Sequence, residues 1–191
     1  MQKKIYVSDV ITEDIVENLY AGNNYLIASE MSSGKNYWMR NVLLPYALEN
    51  NKRTLCLSHR RNTLDQQLNY LEEYKWECVR QFKGGMFDLK TYQTFQNMVK
   101  RNDPELSRYD YIVCDEAHYF VSDSSFNTKT ELVFDFLNDN ENGVKIFMTG
   151  TSNGLYYLPW KMNWKFLKKL TTITIRLKRY IDMNKMKQFQ Q

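Results

Sequence analysis

The chain has 191 residues, 43% hydrophobic and 15% aromatic, which suits one domain with a real core and excludes a disordered chain. No apolar run reaches the roughly 18–20 residues that span a bilayer, and "MQKKIYVSDV" has no apolar stretch behind its basic residues, so neither a membrane span nor a secretory signal is expected. The net charge of +4 divides unevenly: from Lys161 onward nine basic residues face Asp182 alone, giving +8, while residues 1–160 carry −4.

In chain order, Ile11, Ile15 and Leu19 recur at helical spacing, with Ser8 or Asp9 available as a cap. "NYLIAS" then reads as a buried strand. Trp38, Val42 and Tyr46 mark a helix that Pro45 is expected to kink or end. "RTLCLS" is a second strand, followed by a helix with Leu64, Leu68 and Leu71 on one side. "WECVRQF" and "MFDLKTY" read as short strands around Gly84 and Gly85, residues 93–101 as a helix, and "YDYIVCD" as a deeply buried strand. A helix through Leu132, Phe136 and Leu137, the strand "VKIFMTG", a segment rich in Tyr and Trp, and a last strand "LTTITIRLK" complete the pattern. Short apolar strands alternating with helices predict an α/β fold whose mostly parallel sheet is covered on both faces, with ligands held beyond the strands' carboxyl ends. Cys56, Cys78 and Cys114 are odd in number and lack metal-ligand spacing; the first and last lie in apolar runs, as reduced core residues of a cytoplasmic protein do.

Two polar clusters fall at strand ends. "ASEMSSGKNYW" follows the first strand and precedes a helix, so its backbone N–H groups and the helix's positive end converge on one spot. Gly34 permits close approach, and Lys35 can reach the outer phosphates of a nucleotide. The second cluster, "YIVCDEAHYF", sets Asp115 and Glu116 at the end of an apolar strand. There Asp115 can serve a magnesium ion and Glu116 an attacking water. Taken alone, each cluster could be a surface turn or a solvated strand end.

Together and in this order they resemble the first RecA-like domain of the superfamily 2 helicases, the DEAD/DEAH-box class. "SSGKN" resembles the family's phosphate loop, "LCLSHRRNTLDQQ" its motif Ia, "DEAH" its motif II and "MTGTS" its motif III, while "LKTYQTFQN" is similar to a backbone-contacting segment. The resemblance implies a RecA-like P-loop NTPase domain using ATP and Mg2+. Ser29, Met31, Ser32, Ser33, Gly34, Lys35 and Asn36 would then hold the nucleotide, and Asn36 and Asp115 the metal. Lys35, Asp115, Glu116 and His118 would form the catalytic set, and Thr149, Gly150 and Thr151 would couple nucleotide state to nucleic acid. His59, Arg60, Arg61, Thr91, Tyr92 and Gln93 would contact nucleic acid, DNA rather than RNA.

The chain departs from that pattern in two places. Ser29 stands where the first loop glycine is usual, and Asn36 replaces the hydroxyl that ordinarily ligates magnesium, although an amide oxygen can also bind a hard cation. On this reading residues 1–170 form the ATP-binding domain, and 171–191 the last strand and a basic linker toward a second RecA-like domain. That second domain normally supplies an arginine finger, so the chain alone is expected to hydrolyse ATP slowly. A viral DNA-packaging type of motor, or a nucleotide- or nucleic-acid-binding module without turnover, are the alternative readings.

Overall fold

A computed structural model describes residues 5–74, 85–122, 128–150 and 170–175. Six strands, β1 (Asn24–Ser29), β2 (Thr54–Ser58), β3 (Phe87–Thr91), β4 (Tyr111–Cys114), β5 (Val144–Thr149) and β6 (Leu170–Ile175), form one sheet in the order β3-β2-β4-β5-β1-β6. Every pairing in it is parallel. β1, β2, β4 and β5 are buried at every residue, as continuous apolar runs require when helices cover both faces. This is the expected α/β architecture. The strand expected at "WECVRQF", the Tyr- and Trp-rich segment and the basic end of the chain lie outside the described residues.

Strand alternation divides the core in two. Tyr25, Ile27, Cys56, Val113, Ile146 and Met148 pack under α1 (Val7–Val10) and the helix after the phosphate loop, around Trp38, Met39 and Leu43. Leu26, Leu57, Cys114 and Phe147 point the other way, against Phe95 and Val99 of α6 (Tyr92–Lys100) and Val133 and Leu137 of α7 (Thr128–Asp139). Cys56 and Cys114 therefore sit on neighbouring strands but opposite faces, buried and free, and burial raises both thiol pKa values.

Three local expectations change. The stretch from Ile11 to Leu19 is not one helix: α1 ends at Val10, and α2 (Glu13–Glu17) starts again after Thr12. Asp9 accepts the Tyr6 N–H at 2.9 Å, so it serves α1 and not the following helix. Pro45 neither ends nor breaks its helix. α3 (Lys35–Trp38) widens into a π-helical turn over Met39–Leu43, and α4 (Leu44–Glu49) continues with the proline in its first turn. A proline has no N–H to give and crowds the carbonyl four residues back, and the wider turn just before it accommodates both. On α5 (Arg61–Tyr74), Leu68 is 40% exposed and Gln67 is buried, so the leucine line is not the packed face at that turn.

The amino ends of the strands are held by polar contacts. Arg53 pairs with Glu105 at 3.0 Å and lies over the Tyr109 ring, while the Tyr109 hydroxyl donates to Asp88. The turn into β5 depends on Gly143, at φ +132°, where an added Cβ would stand 2.5 Å from the Tyr109 carbonyl oxygen. Gly22, at φ +80°, has no neighbour inside 3.6 Å. Gly143→Ala should therefore cost more than about 2–3 kcal/mol and Gly22→Ala about 1 kcal/mol. Thermal unfolding of the two variants side by side checks this, and equal losses would contradict it.

Candidate active site

The order β4-β5-β1 puts three strand ends side by side, so the residues that follow Cys114, Thr149 and Ser29 meet at one edge of the sheet. The phosphate loop leaves β1 with Ser32 at φ +59° and Gly34 at φ +83°, two left-handed residues that turn the chain back into α3. Ser29, standing in place of a loop glycine, is still extended strand and 5% exposed. Its hydroxyl accepts from the Ser33 hydroxyl at 2.7 Å, closing the base of the loop. A side chain, not backbone freedom, is what this position uses.

Lys35 folds over its own loop. Its ammonium donates to the carbonyls of Ser29 at 3.2 Å and Glu30 at 3.0 Å. Burial lowers its pKa, opposed by the charges of Glu116 and Asp115. Carbonyls are weaker partners for an ammonium than phosphate oxygens, so an entering phosphate can take these bonds over. Tyr6 closes the loop from outside: the Val7 N–H donates to the Ser33 carbonyl at 2.9 Å, and a Cβ on Gly34 would meet the Tyr6 ring at 3.3 Å. Met31 is 78% exposed at the loop's tip. Gly150 lies against Met31 and Lys35, where an added Cβ would be 3.4 Å and 3.6 Å from their side chains.

Asp115 is fixed by its backbone. Its N–H donates to the Leu57 carbonyl at 2.9 Å, and the Ala117 N–H donates to the Met148 carbonyl at 2.7 Å, so strands on both sides hold the turn. The carboxylate is 3% exposed and accepts the Glu116 N–H at 3.0 Å. Burial, and then the Glu116 charge, raise its pKa to about 6, against the pull of that N–H and of Lys35. Glu116 itself takes φ +53°, a strained conformation for a side chain of its size. Its carboxylate is 3.1 Å from Nδ1 of His118.

Among the described residues no cluster of three His, Cys, Asp or Glu forms a self-sufficient metal cage. Magnesium at a phosphate loop does not need one, since phosphates and water supply most of its ligands. Among the described residues the buried Asn36 amide oxygen has no hydrogen-bond partner. An orphaned oxygen beside the loop lysine, with Asp115 at the end of the second strand along, fits a hard cation.

The residues expected on the nucleic-acid side separate into two groups. His59, Arg60, Arg61 and Gln93 are exposed, and Thr91 is half-buried. They lie at the carboxyl ends of the paired strands β2 and β3, where Ser58 faces Thr91. Thr91 also caps α6 through the Thr94 N–H at 3.1 Å. Tyr92 does not belong with them. It is 3% exposed, and its hydroxyl donates to the Asp115 carbonyl at 2.7 Å. Tyr92 is thus a support beneath the acidic turn and not a contact surface. Tyr119, which sequence reasoning missed, stacks on Tyr92 at 4.9 Å and lies 4.7 Å from the His59 ring. Thr149 is buried and Thr151 lies outside the described residues.

A phosphate loop after the first strand, an Asp-Glu turn two strands away and a basic rim on the far side of that turn define a first RecA-like domain of the superfamily 2 helicase class. Residues 6–153 match the family described as "Type III restriction enzyme, res subunit", and the chain belongs to that family. Among curated proteins none matches the sequence. The fold is similar to a hypothetical ATP-dependent RNA helicase from Sulfolobus tokodaii, with a TM-score of 0.59 and 11% identity over 92% of this chain and 54% of that one. It is also similar to the Hef helicase domain from Pyrococcus furiosus, with a TM-score of 0.57 and 15% identity over 89% of this chain and 39% of that one. The chain therefore spans about half the length, or less, of these structures.

Asp115 also sets a pH-dependent cost. Below about pH 4 the carboxyl is protonated in the folded and unfolded chain alike, and the cost is nil. Between that value and about 6 only the folded chain keeps the proton, so the penalty grows as pH rises, and above about 6 it is complete. Asp115→Asn should therefore stabilise the chain in EDTA at pH 8 by on the order of 2–3 kcal/mol and leave it unchanged near pH 4. Urea unfolding at the two pH values measures this, and a loss of stability at pH 8 would contradict it.

Proposed function

We propose that this domain binds ATP with Mg2+ and hydrolyses it as part of a nucleic-acid-dependent helicase or translocase, in the cytoplasm. The observation that carries the reading is that β1 and β4, with β5 between them, end on one side of the sheet, so that the loop carrying Lys35 and Asn36 faces the charges of Asp115 and Glu116, with the exposed basic rim one strand further along.

Lys35 exchanges its loop carbonyls for the β- and γ-phosphates, while Ser32, Ser33 and Gly34 wrap them. Asn36 and Asp115 would hold a magnesium ion, whose chemistry when bound would be to neutralise charge on the transferring phosphoryl group. Glu116 orients the attacking water, and His118, 3.1 Å from it, keeps that carboxylate in place. His118, Thr149, Gly150 and Thr151 relay nucleotide state to the strand-binding side. His59, Arg60, Arg61, Thr91 and Gln93 take the backbone of a single strand, DNA in preference to RNA. Residues 1–170 act as the ATP-binding domain and 171–191 lead toward a second RecA-like domain, in the same chain or a partner. That domain contributes an arginine finger worth on the order of 10³–10⁵ in rate.

Lys35→Ala should abolish nucleotide binding measured by calorimetry. The 191-residue chain should turn ATP over slowly, and a version extended through the next domain should be faster by orders of magnitude and respond to added nucleic acid. Fast, nucleic-acid-stimulated hydrolysis by the short chain would show that copies of this chain supply the arginine to one another. Asn36→Thr restores the usual hydroxyl ligand and should raise turnover or lower the magnesium concentration needed for it. An unchanged magnesium titration would show that Asn36 is no ligand.

A further inference from the structure

Beside the basic rim, α5 and the edge strand β3 line an open groove of about 520 Å³, within the roughly 300–1,000 Å³ of small-molecule sites. α5 contributes Arg61, Asp65 and Leu68, spaced to lie along one helix face, and β3 contributes Leu89, Lys90 and Thr91. Leu68, 40% exposed, is an apolar side chain left open to water. Arg61 and Asp65 form no ion pair with each other, and among the described residues Lys90 pairs with Asp88, at 3.7 Å. The pocket thus has two leucines in a lining that is otherwise polar, the exposed Arg61 guanidinium, and in Asp65 a carboxylate with no ion pair among the described residues. The Lys90 ammonium, paired with Asp88, belongs to the other face of β3.

A site for backbone phosphate alone has no use for the leucines and would be weakened by the carboxylate. We propose that the pocket receives one base of the bound single strand, turned out of the line of its neighbours, and that Asp65 selects bases carrying an amino group. This rests on the nucleic-acid reading above and assigns a base preference to it. The leucines supply the apolar contact for the base faces, and the exposed Arg61 takes a flanking phosphate. A carboxylate only accepts hydrogen bonds. It meets an amino donor on cytosine, adenine or guanine, whereas thymine and uracil present a single N–H between two oxygens that repel it.

The test is fluorescence anisotropy of the full chain with labelled oligo-dC, oligo-dT and an abasic strand of equal length and salt. Oligo-dC should bind roughly five- to tenfold more tightly than oligo-dT, the lower end of what one good base contact gives. Asp65→Asn should strengthen oligo-dT binding and bring the ratio to about twofold or less, because the repelling charge is gone. Leu68→Glu, at an exposed position where folding is not at stake, should bring oligo-dC down to the abasic strand. If the three strands bind alike and neither variant changes their order, the pocket takes no base and the inference falls, while the nucleic-acid reading stands. If no strand binds, both fall. If free CMP competes with oligo-dC at equal concentration, the pocket serves a free nucleotide, and its place on the strand's path is wrong.

Discussion

The geometry of this molecule depends on the parallel hydrogen-bond ladder that runs β4-β5-β1 through its centre. Parallel strands end on the same side, so two loops separated by some eighty residues of sequence open next to each other. The ladder reaches into the site itself. The Asp115 N–H binds the Leu57 carbonyl of β2, and the Ala117 N–H binds the Met148 carbonyl of β5. The acidic turn is therefore an extension of the sheet and not a loose loop. Core packing above and below, from Trp38 on one face and Phe95 on the other, keeps the ladder in register.

On that frame the site holds groups in states that folding alone would not choose. Asp115 is a buried carboxylate with a raised pKa, Glu116 is a non-glycine residue at positive φ, and Asn36 has a buried oxygen with no partner among the described residues. Each costs stability, and a cation with its phosphates would recover the costs at Asp115 and Asn36. Lys35 shows the complementary case, a cation satisfied for the moment by loop carbonyls that a phosphate would outbid. The aromatic sequence His59, Tyr119, Tyr92 joins this strained turn to the basic rim by direct contact. Its last link is the Tyr92 hydroxyl on the Asp115 carbonyl.

Much of this was legible in the residues. "NYLIAS" is β1 to the residue, and the strands around "TLCLS", "YIVC" and "VKIFMT" stand where continuous apolar runs placed them, because burial on both faces leaves an unbroken signal. Tyr92 stands off the rim that its motif suggests, and the sequence carries the signal for this. Tyr92, Phe95, Gln96 and Val99 share one helix face and all four are buried, so helical periodicity outweighs the local motif. The path of the chain through Pro45 was not readable, since a π turn has no sequence mark comparable to a cap. Nor were Tyr6 over Gly34 or Tyr119 between His59 and Tyr92, which are contacts between distant segments. The Leu68 expectation failed because α5 lies at the sheet's edge, where only part of its circumference meets the core.

The central claim is that Lys35 and Asp115 serve one phosphate-and-metal site from two strands. Calorimetric ATP binding in magnesium and in EDTA, by the parent chain and Asp115→Asn, tests it directly. Magnesium should tighten binding to the parent, and the Asn variant should lose that increment while keeping the parent's affinity in EDTA, where Lys35 and the loop act alone. Equal magnesium dependence in both proteins would place the metal elsewhere and separate the two clusters that the sheet brings together.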